Sequence, residues 1–365
     1  DLADRPHDCD LLLDQNYFPD AEARYAELVS QATTRLCGPR YALLRPEYAQ
    51  ARRRIGLRRG PVSRVLIFYG GSDPENETAR ALRVLSRPEF AHIAVDVVIG
   101  ANNPHKETLR QQAEQRPRTT VHGPREHLVD LQTEADLALG AGGTTTWERC
   151  ALGLPSIVTA VAENQEPFNQ CLADDGAISY LGHRATLSDA TLAKALQEAI
   201  ADPEALAAQA AQAWRVTDGL GTWRMAEAMS PTPREQLALR EAKREDKSLY
   251  FEWANDPVTR RHAHNPSPIP WSDHDQWFDS RLADPDTRLW VLETPAGLPL
   301  GQVRVDIEHG EGVLDYSIDP AFRGRGLGTL LLELVADCWR ASGEEIPLIG
   351  ETVAGNEASR RAFLR

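Results

Sequence analysis

At 365 residues, with 54 acidic against 40 basic side chains and a formal net charge of −14, the chain is long enough for two ordinary domains. That acidity argues against nucleic acid or an anionic membrane surface as its main partner, and no apolar run approaches membrane-spanning length. The cysteines (Cys9, Cys37, Cys150, Cys171 and Cys338) are scattered without a Cys-x-x-Cys pair, which speaks against a disulfide framework or a structural metal site and suits a reducing cytoplasm.

In chain order, D-L-L-L-D at 10–14 is a short strand and 20–30 a helix begun by Pro19-Asp20. A turn-rich segment, C-G-P-R-Y-A-L-L-R-P-E-Y at 37–48, leads into a basic helix through Arg54. Beyond Gly60-Pro61 the pattern becomes regular. Strands at 64–69, 94–99, 119–122, 136–139 and 156–159 alternate with helices at 77–85, 105–115, 125–134 and 145–152. Such alternation predicts a parallel sheet covered on both faces, with ligands beyond the carboxyl ends of the strands. Alanine-rich helices follow at 188–201 and 203–213, and the Pro-rich M-S-P-T-P-R at 229–234 is the expected domain boundary. After it come a strand at 237–241, helices at 246–255 and 274–282, and strands at 288–294, 301–308 and 312–319. A long helix at 327–341, a strand at 346–352 and a helix at 357–365 complete an α+β pattern with a mixed sheet. The first residues read like mid-loop and Arg365 falls inside a helix, so the sequence is expected to be part of a longer protein.

The stretch 139–150, L-G-A-G-G-T-T-T-W-E-R-C, is strand, glycine-rich turn, helix. Gly142 and Gly143 allow close backbone approach, and the N–H groups through Thr144 and Thr145 suit a diphosphate. Glu148, one turn in, is placed for two ribose hydroxyls. Thr145-x-x-Glu148 is equally a capping box, in which Glu148 would only satisfy backbone donors. A second such turn, F-Y-G-G-S-D-P-E-N at 68–76, puts Gly70, Gly71 and Ser72 at a neighbouring strand end, and the pair makes a cradle more credible than either turn alone. E-N-Q-E-P-F-N at 163–169 offers Asn164, Gln165 and Asn169 to sugar hydroxyls, with Asn164 alternatively a helix cap.

Four segments in order, G-P-R-Y-A-L-L-R-P-E-Y, G-G-S-D-P-x-N-x-T, A-D-L-A-L-G-A-G-G-T-T-T-W-E-R and A-E-N-Q-E-P-x-N-Q, resemble the UDP-sugar hydrolase of pseudaminic acid biosynthesis, across roughly residues 1–225. The resemblance implies a fold of two Rossmann-like halves, as in GT-B glycosyltransferases. Residues 1–60 would be a remnant and connector of the first half and 61–229 the UDP-sugar-binding half. It implies UDP-2,4-diacetamido-2,4,6-trideoxy-β-L-altropyranose as substrate, the Gly70–Ser72 and Gly142–Thr145 backbones at the diphosphate, Glu148 at the ribose, and Asn164, Gln165 and Asn169 near the sugar. The family's hydrolytic His lies near its N-terminus, and His7, His92, His105, His122 and His127 do not occupy that motif. The expectation is therefore UDP-sugar binding with negligible hydrolysis. The domain is also similar to the N-acetylglucosaminyltransferase of lipid II synthesis, so a UDP-sugar glycosyltransferase is the alternative, and a non-catalytic nucleotide-sugar sensor another.

In the second domain, the strand through Ile318 runs into P-A-F-R-G-R-G-L-G at 320–328 and then straight into a helix. Arg-x-x-Gly-x-Gly at such a turn is a pyrophosphate site, with Arg323 and Arg325 adding charge to the donors exposed by Gly324, Gly326, Leu327 and Gly328. With T-V-A-G-N-E-A-S-R-R-A-F at 352–363, it resembles the GNAT acetyltransferases over residues 237–365, joined to the first domain by a 230–236 linker. The resemblance implies acetyl-CoA as co-substrate, its pyrophosphate at the 323–328 loop, its pantetheine along the strand that ends at Ile318, and Asn356 in contact with it. W-A-N-D-P-V-T-R at 253–260 and S-D-H-D-Q-W-F at 272–278 look more particularly like the N-acetyltransferase of the same pathway, which acts on a UDP-linked 4-amino sugar. A protein N-terminal acetyltransferase is the alternative. Trp253, Trp271 and Trp277 either line the sugar pocket or belong to the core. Asp315, Glu351 and His264 are candidate general bases that spacing does not separate, and the family's general-acid Tyr is expected beyond the last residue. The whole is a cytoplasmic, metal-free, bifunctional nucleotide-sugar enzyme in expectation: an α/β Rossmann-like half followed by an α+β GNAT domain.

Overall fold

The computed structural model describes residues 5–353 and 355–364; the expected mid-loop start at 1–4 and the end of the last helix at Arg365 lie outside the described residues. The chain divides into two compact units, Asp1–Met225 and Ala226–Arg365.

The first unit opens with β1 (Leu11–Asp14), α1 (Ala21–Arg24), β2 (Thr34–Cys37) and α2 (Pro46–Arg54). There follow β3 (Arg64–Phe68), α3 (Glu77–Leu85), β4 (Ala94–Val98), α4 (Lys106–Glu114), β5 (Thr119–His122), α5 (Val129–Glu134), β6 (Leu137–Ala141) and α6 (Thr145–Ala151). The unit continues through β7 (Ser156–Ala160), α7 (Glu166–Asp174), β8 (Ser179–His183), α8 (Asp189–Ala201) and α9 (Pro203–Val216), and α10 (Gly221–Met229) spans the junction. The main sheet has the order β5-β4-β3-β6-β7-β8 with every pairing parallel. The chain winds outward from β3 to β5, then returns to lay β6 on the free side of β3 and winds outward again. This is the Rossmann-like α/β arrangement expected, and its reversal falls at the carboxyl ends of β3 and β6, where sheets of this kind bind ligands. β6 (L-A-L-G-A) and β7 (S-I-V-T-A) are buried at every position, as strands covered on both faces must be. α3 turns Ala81, Leu82, Val84 and Leu85 onto Val65, Ile67, Val95 and Val97, while Tyr48, Trp147, Leu152 and Phe168 fill a separate cluster.

The predicted 20–30 helix shrinks to the four residues of α1. Its C-cap Tyr25 is buried and donates its hydroxyl to Asp14 Oδ2 at 2.7 Å, which pins the chain to β1 after one turn. β2 escaped the sequence because T-R-L-C has one fully buried side chain, Leu36, and so no alternation; its parallel pairing with β1 defines it.

The second unit contains β9 (Ala238–Glu241), α11 (Lys247–Ala254), α12 (Pro257–Arg261), α13 (Trp271–Ala283), β10 (Thr287–Glu293), β11 (Pro299–Glu308), β12 (Glu311–Ile318), α14 (Leu327–Ala341), β13 (Leu348–Gly350) and α15 (Glu357–Phe363). The sheet order is β13-β12-β11-β10-β9, antiparallel except for the parallel β12–β13 pair. This is the mixed-sheet α+β unit expected. β13 pairs only with Gly312, Val313 and Leu314, whereas β11 accompanies β12 as far as Ile318. β13 is shorter than predicted because α15 packs where pairing stops: a Cβ on Gly350 would lie 2.1 Å from the Phe363 ring. Among the described residues no helix is long and apolar enough to cross a membrane.

Candidate functional sites

The parallel register sets Phe68 beside Gly140, so the two glycine-rich turns leave neighbouring strands side by side at the reversal point. The 70–76 turn is backbone-strained: Gly70 has φ +100°, and the non-glycine residues Asp73 and Asn76 have φ +40° and +59°. Such strain persists only where the surroundings enforce it. Here Asp73 accepts from the N–H groups of Glu77 (2.9 Å) and Thr78 (3.0 Å), and Gly71 O accepts from Asn102 N (3.0 Å). Side chains added at Gly70 or Gly71 would enter open space, which leaves both faces available to a ligand. Ser72 is exposed beside them.

In the second turn Thr144 is the N-cap of α6 but makes no side-chain capping bond, so the capping-box alternative for Glu148 does not hold. Glu148 instead faces Tyr48 and Gln132, whose Nε2 lies 3.4 Å from Oε2. Burial pushes this carboxyl above its ordinary range, against the neighbouring Tyr48 and the charge of Arg149. Arg149 was not singled out from the sequence. Its side chain is fully buried beneath the turn, with Nη2 donating to Ala141 O (2.9 Å) and Thr146 Oγ1 (3.0 Å) and Nη1 to Thr145 Oγ1 (3.3 Å). No carboxylate lies within ion-pair distance of it among the described residues, and burial pulls its pKa down. Spacing contained the signal: Arg149 follows Glu148 on a helix that packs one side against the sheet.

The glycines of this turn divide. A Cβ on Gly143 would meet only Gln165 Nε2, at 3.5 Å, but on Gly142 it would fall 2.1 Å from Asn169 Nδ2. Asn169 is fully buried and donates to Gly142 O (2.9 Å) and Gln165 O (2.6 Å), so its nitrogen braces the turn from behind. Gln165 Oε1 accepts from Val161 N (3.0 Å), and Asn164 is exposed on the adjoining turn. Thr144 is exposed beside Gly143, and Thr145 is tied to Arg149.

In the second unit the 323–328 loop leads from β12 into α14. Gly324 and Gly326 have φ +78° and +76°, and Gly326 is the α14 N-cap without a side-chain capping bond, so the first-turn N–H groups of Leu327 and Gly328 face outward. Past Leu314 the β12 edge facing β13 is unpaired among the described residues. Ile318 O on β12 accepts from Arg323 Nε at 3.0 Å. Arg323 Nη2 also lies 2.7 Å from Asp256 Oδ1 and 3.1 Å from Thr259 Oγ1, and the Arg325 guanidinium lies over the Phe322 ring at 5.2 Å. Asn356 caps α15 by accepting from Ser359 N at 3.2 Å.

Of the candidate bases, His264 and Glu351 are brought within 3.7 Å of each other, both largely exposed, whereas Asp315 lies 3.6 Å from Arg304. Trp253 is core, donating Nε1 to buried Asp319 at 3.2 Å, and Trp271 and Trp277 stack around His274. Tyr316 went unnoticed in the sequence. Its hydroxyl is 3.2 Å from Ser359 Oγ, its ring meets Phe363 edge-on, and burial raises its pKa, so it stays a proton donor at neutral pH. Among the described residues no group of three His, Cys, Asp or Glu side chains could hold a metal ion.

The family model for the acetyltransferase (GNAT) domain matches residues 236–365. That stretch is a GNAT acetyltransferase domain. Over 164 residues the chain is 30% identical to the spore coat polysaccharide biosynthesis protein SpsG of Bacillus subtilis (strain 168), covering 44% of this chain and 48% of that protein. It is 22% identical over 284 residues to the uncharacterized protein MJ1062 of Methanocaldococcus jannaschii, covering 73% of this chain and 54% of that protein. The chain thus spans about half the length of the curated relatives it matches. Among solved structures, spermidine N-acetyltransferase from Vibrio cholerae in complex with CoA and spermine is 17% identical, covering 36% of this chain and 79% of that chain at a TM-score of 0.33.

Proposed function

We propose that the chain is a two-site enzyme of nucleotide-sugar metabolism. The GNAT domain transfers an acetyl group from acetyl-CoA to the amine of a UDP-linked amino sugar, and the Rossmann-like unit binds a UDP-sugar of the pseudaminic type with negligible hydrolysis by itself. Acetyl-CoA fits the residues present: outward N–H groups at the start of α14 suit its diphosphate, and the unpaired 315–317 edge of β12 suits its amide-bearing arm. In the transfer, the neutral amine attacks the thioester carbonyl, the new C–N bond forms, the C–S bond breaks, and the thiolate takes a proton. The Tyr316 hydroxyl is the donor held between β12 and α15. His264 and Glu351, together past the end of β13, are the pair suited to receive the amine's proton.

For the first unit one observation carries the assignment. Arg149 is a buried guanidinium with no carboxylate within ion-pair distance among the described residues, seated under a turn whose outer face is open, and a buried cation in this position calls for an anion. A diphosphate on the turn supplies it, with Glu148 beside it for the ribose diol. The sugar-pathway name of the B. subtilis relative supports the same substrate class. Titration calorimetry with UDP tests the first site: binding by the wild type and loss in Glu148→Ala are expected, and equal affinity in both would overturn it. For the second site, acetyl transfer to a UDP-4-amino sugar is compared with transfer to a peptide amine; a peptide preference would make it a protein acetyltransferase. UDP release that requires an added sugar acceptor would make the first unit a glycosyltransferase.

A further inference from the structure

The loop at the start of α14 carries two arginines in its own sequence, yet Arg323 is committed elsewhere. Its guanidinium lies 2.7 Å from the Asp256 carboxylate, 3.1 Å from Thr259 Oγ1 and, through Nε, 3.0 Å from Ile318 O. A guanidinium so satisfied ties the loop to α12 and has little net charge to offer a diphosphate.

A different arginine approaches the loop from outside the motif. Arg234 opens the short turn Arg234–Gln236 that follows Pro233 and precedes β9. Its Nη2 donates to Arg325 O at 2.7 Å, and the same nitrogen lies 2.7 Å from where a Cβ on Gly326 would be. The missing side chain at Gly326 is therefore what lets the guanidinium lie over the turn that presents the α14 N–H groups. Arg234 is exposed and has no carboxylate within ion-pair distance among the described residues. One N–H is used on Arg325 O, and the others face outward in the fork geometry that suits phosphate oxygens.

We propose that Arg234 binds the diphosphate of acetyl-CoA together with Arg325, and that Arg323 is a positioning residue that holds the loop rather than the ligand. The proposal rests on the acetyl-CoA assignment above and adds to it a ligand-binding residue from the segment that the sequence marks only as a connector.

The test is calorimetric titration of the full chain, as wild type, Arg234→Ala and Arg234→Lys, with CoA, 3′-dephospho-CoA and pantetheine. Arg234→Ala is expected to weaken CoA and dephospho-CoA alike by about tenfold or more, the scale of one charge-assisted hydrogen bond to phosphate, with a shallower salt dependence. Pantetheine affinity should not change, and Arg234→Lys should recover part of the loss. In parallel, CoA but not pantetheine should protect the Arg234–Glu235 bond from trypsin. Unchanged CoA affinity in Arg234→Ala overturns the proposal. A loss seen with CoA but not dephospho-CoA overturns it by placing Arg234 on the 3′-phosphate. An equal loss with pantetheine overturns it by showing that the loop itself had changed. If the wild type binds none of the three, the acetyl-CoA assignment fails instead, so the two failures are distinguishable.

Discussion

Replacing Gly142 with alanine probes how the first site is built. The new Cβ would fall 2.1 Å from Asn169 Nδ2 and 2.7 Å from its Cγ, well inside contact distance. Asn169 is fully buried and cannot swing into solvent, so either the turn or the amide must move. Overpacking of this kind costs about 1–3 kcal/mol. Displacing the amide also breaks the bonds to Gly142 O and Gln165 O, at 2.9 and 2.6 Å, adding about 1–3 kcal/mol for buried groups left unpaired. At about 2–4 °C per kcal/mol for a unit of this size, the melting midpoint should fall by about 4–24 °C. Thermal unfolding followed by circular dichroism measures this directly. Gly143→Ala is the matched comparison: its Cβ meets only Gln165 Nε2 at 3.5 Å, so the melt should barely move while UDP binding weakens as the methyl enters the open face of the turn. The double variant Gly142→Ala/Asn169→Ala should be less damaged than the two single losses combined, because the clashing amide is gone. A Gly142→Ala midpoint within about 1 °C of wild type, or strict additivity with Asn169→Ala, would refute the reasoning.

Glu148 has its carboxyl raised by burial, so its contribution to stability is present below the unfolded value near 4.5 and is lost as pH rises through the folded one. Glu148→Gln should thus melt higher than wild type at neutral pH, with no gain in acid, while UDP binding drops; a lower melt at neutral pH would contradict this. His274 is buried, its Nε2 2.8 Å from Lys247 O, and burial pulls its pKa from 6.5 to about 4. Its stability is present above 6.5 and is lost as pH falls, reaching about 3 kcal/mol when both folded and unfolded forms are protonated. His274→Gln should flatten the acid side of the second unit's stability profile, and an unaltered profile counts against the assignment. Arg323→Ala, by stranding the partly buried Asp256 carboxylate 2.7 Å away, should cost about 1–3 kcal/mol of stability. Arg234→Ala should leave the melt unchanged, and equal losses in the two variants would erase the distinction between holding the loop and holding the ligand.

Much of the architecture could be derived from residue order alone. The apolar runs of β3, β4, β6 and β7, separated by amphipathic helices, predicted a parallel sheet because only strands covered on both faces are apolar throughout. The α14 helix was bounded correctly by Gly326 and the apolar repeat after it, and both glycine-rich turns were placed between strand and helix. Short or half-exposed elements went unseen: β2, β8 and α12 bury too few side chains to carry a period. Tertiary structure alone decided which glycine faces a ligand and which makes room for Asn169, since that depends on α7 folding back over a turn in front of it in sequence. It alone set Glu148 beside Tyr48 and Arg149 beneath the turn, paired Arg323 with Asp256, and carried Arg234 onto Gly326. Each of these is a contact between residues far apart in the chain or on opposite faces of one helix. Local propensity extends over a few residues, whereas the partner of a charge is chosen by packing across the whole fold.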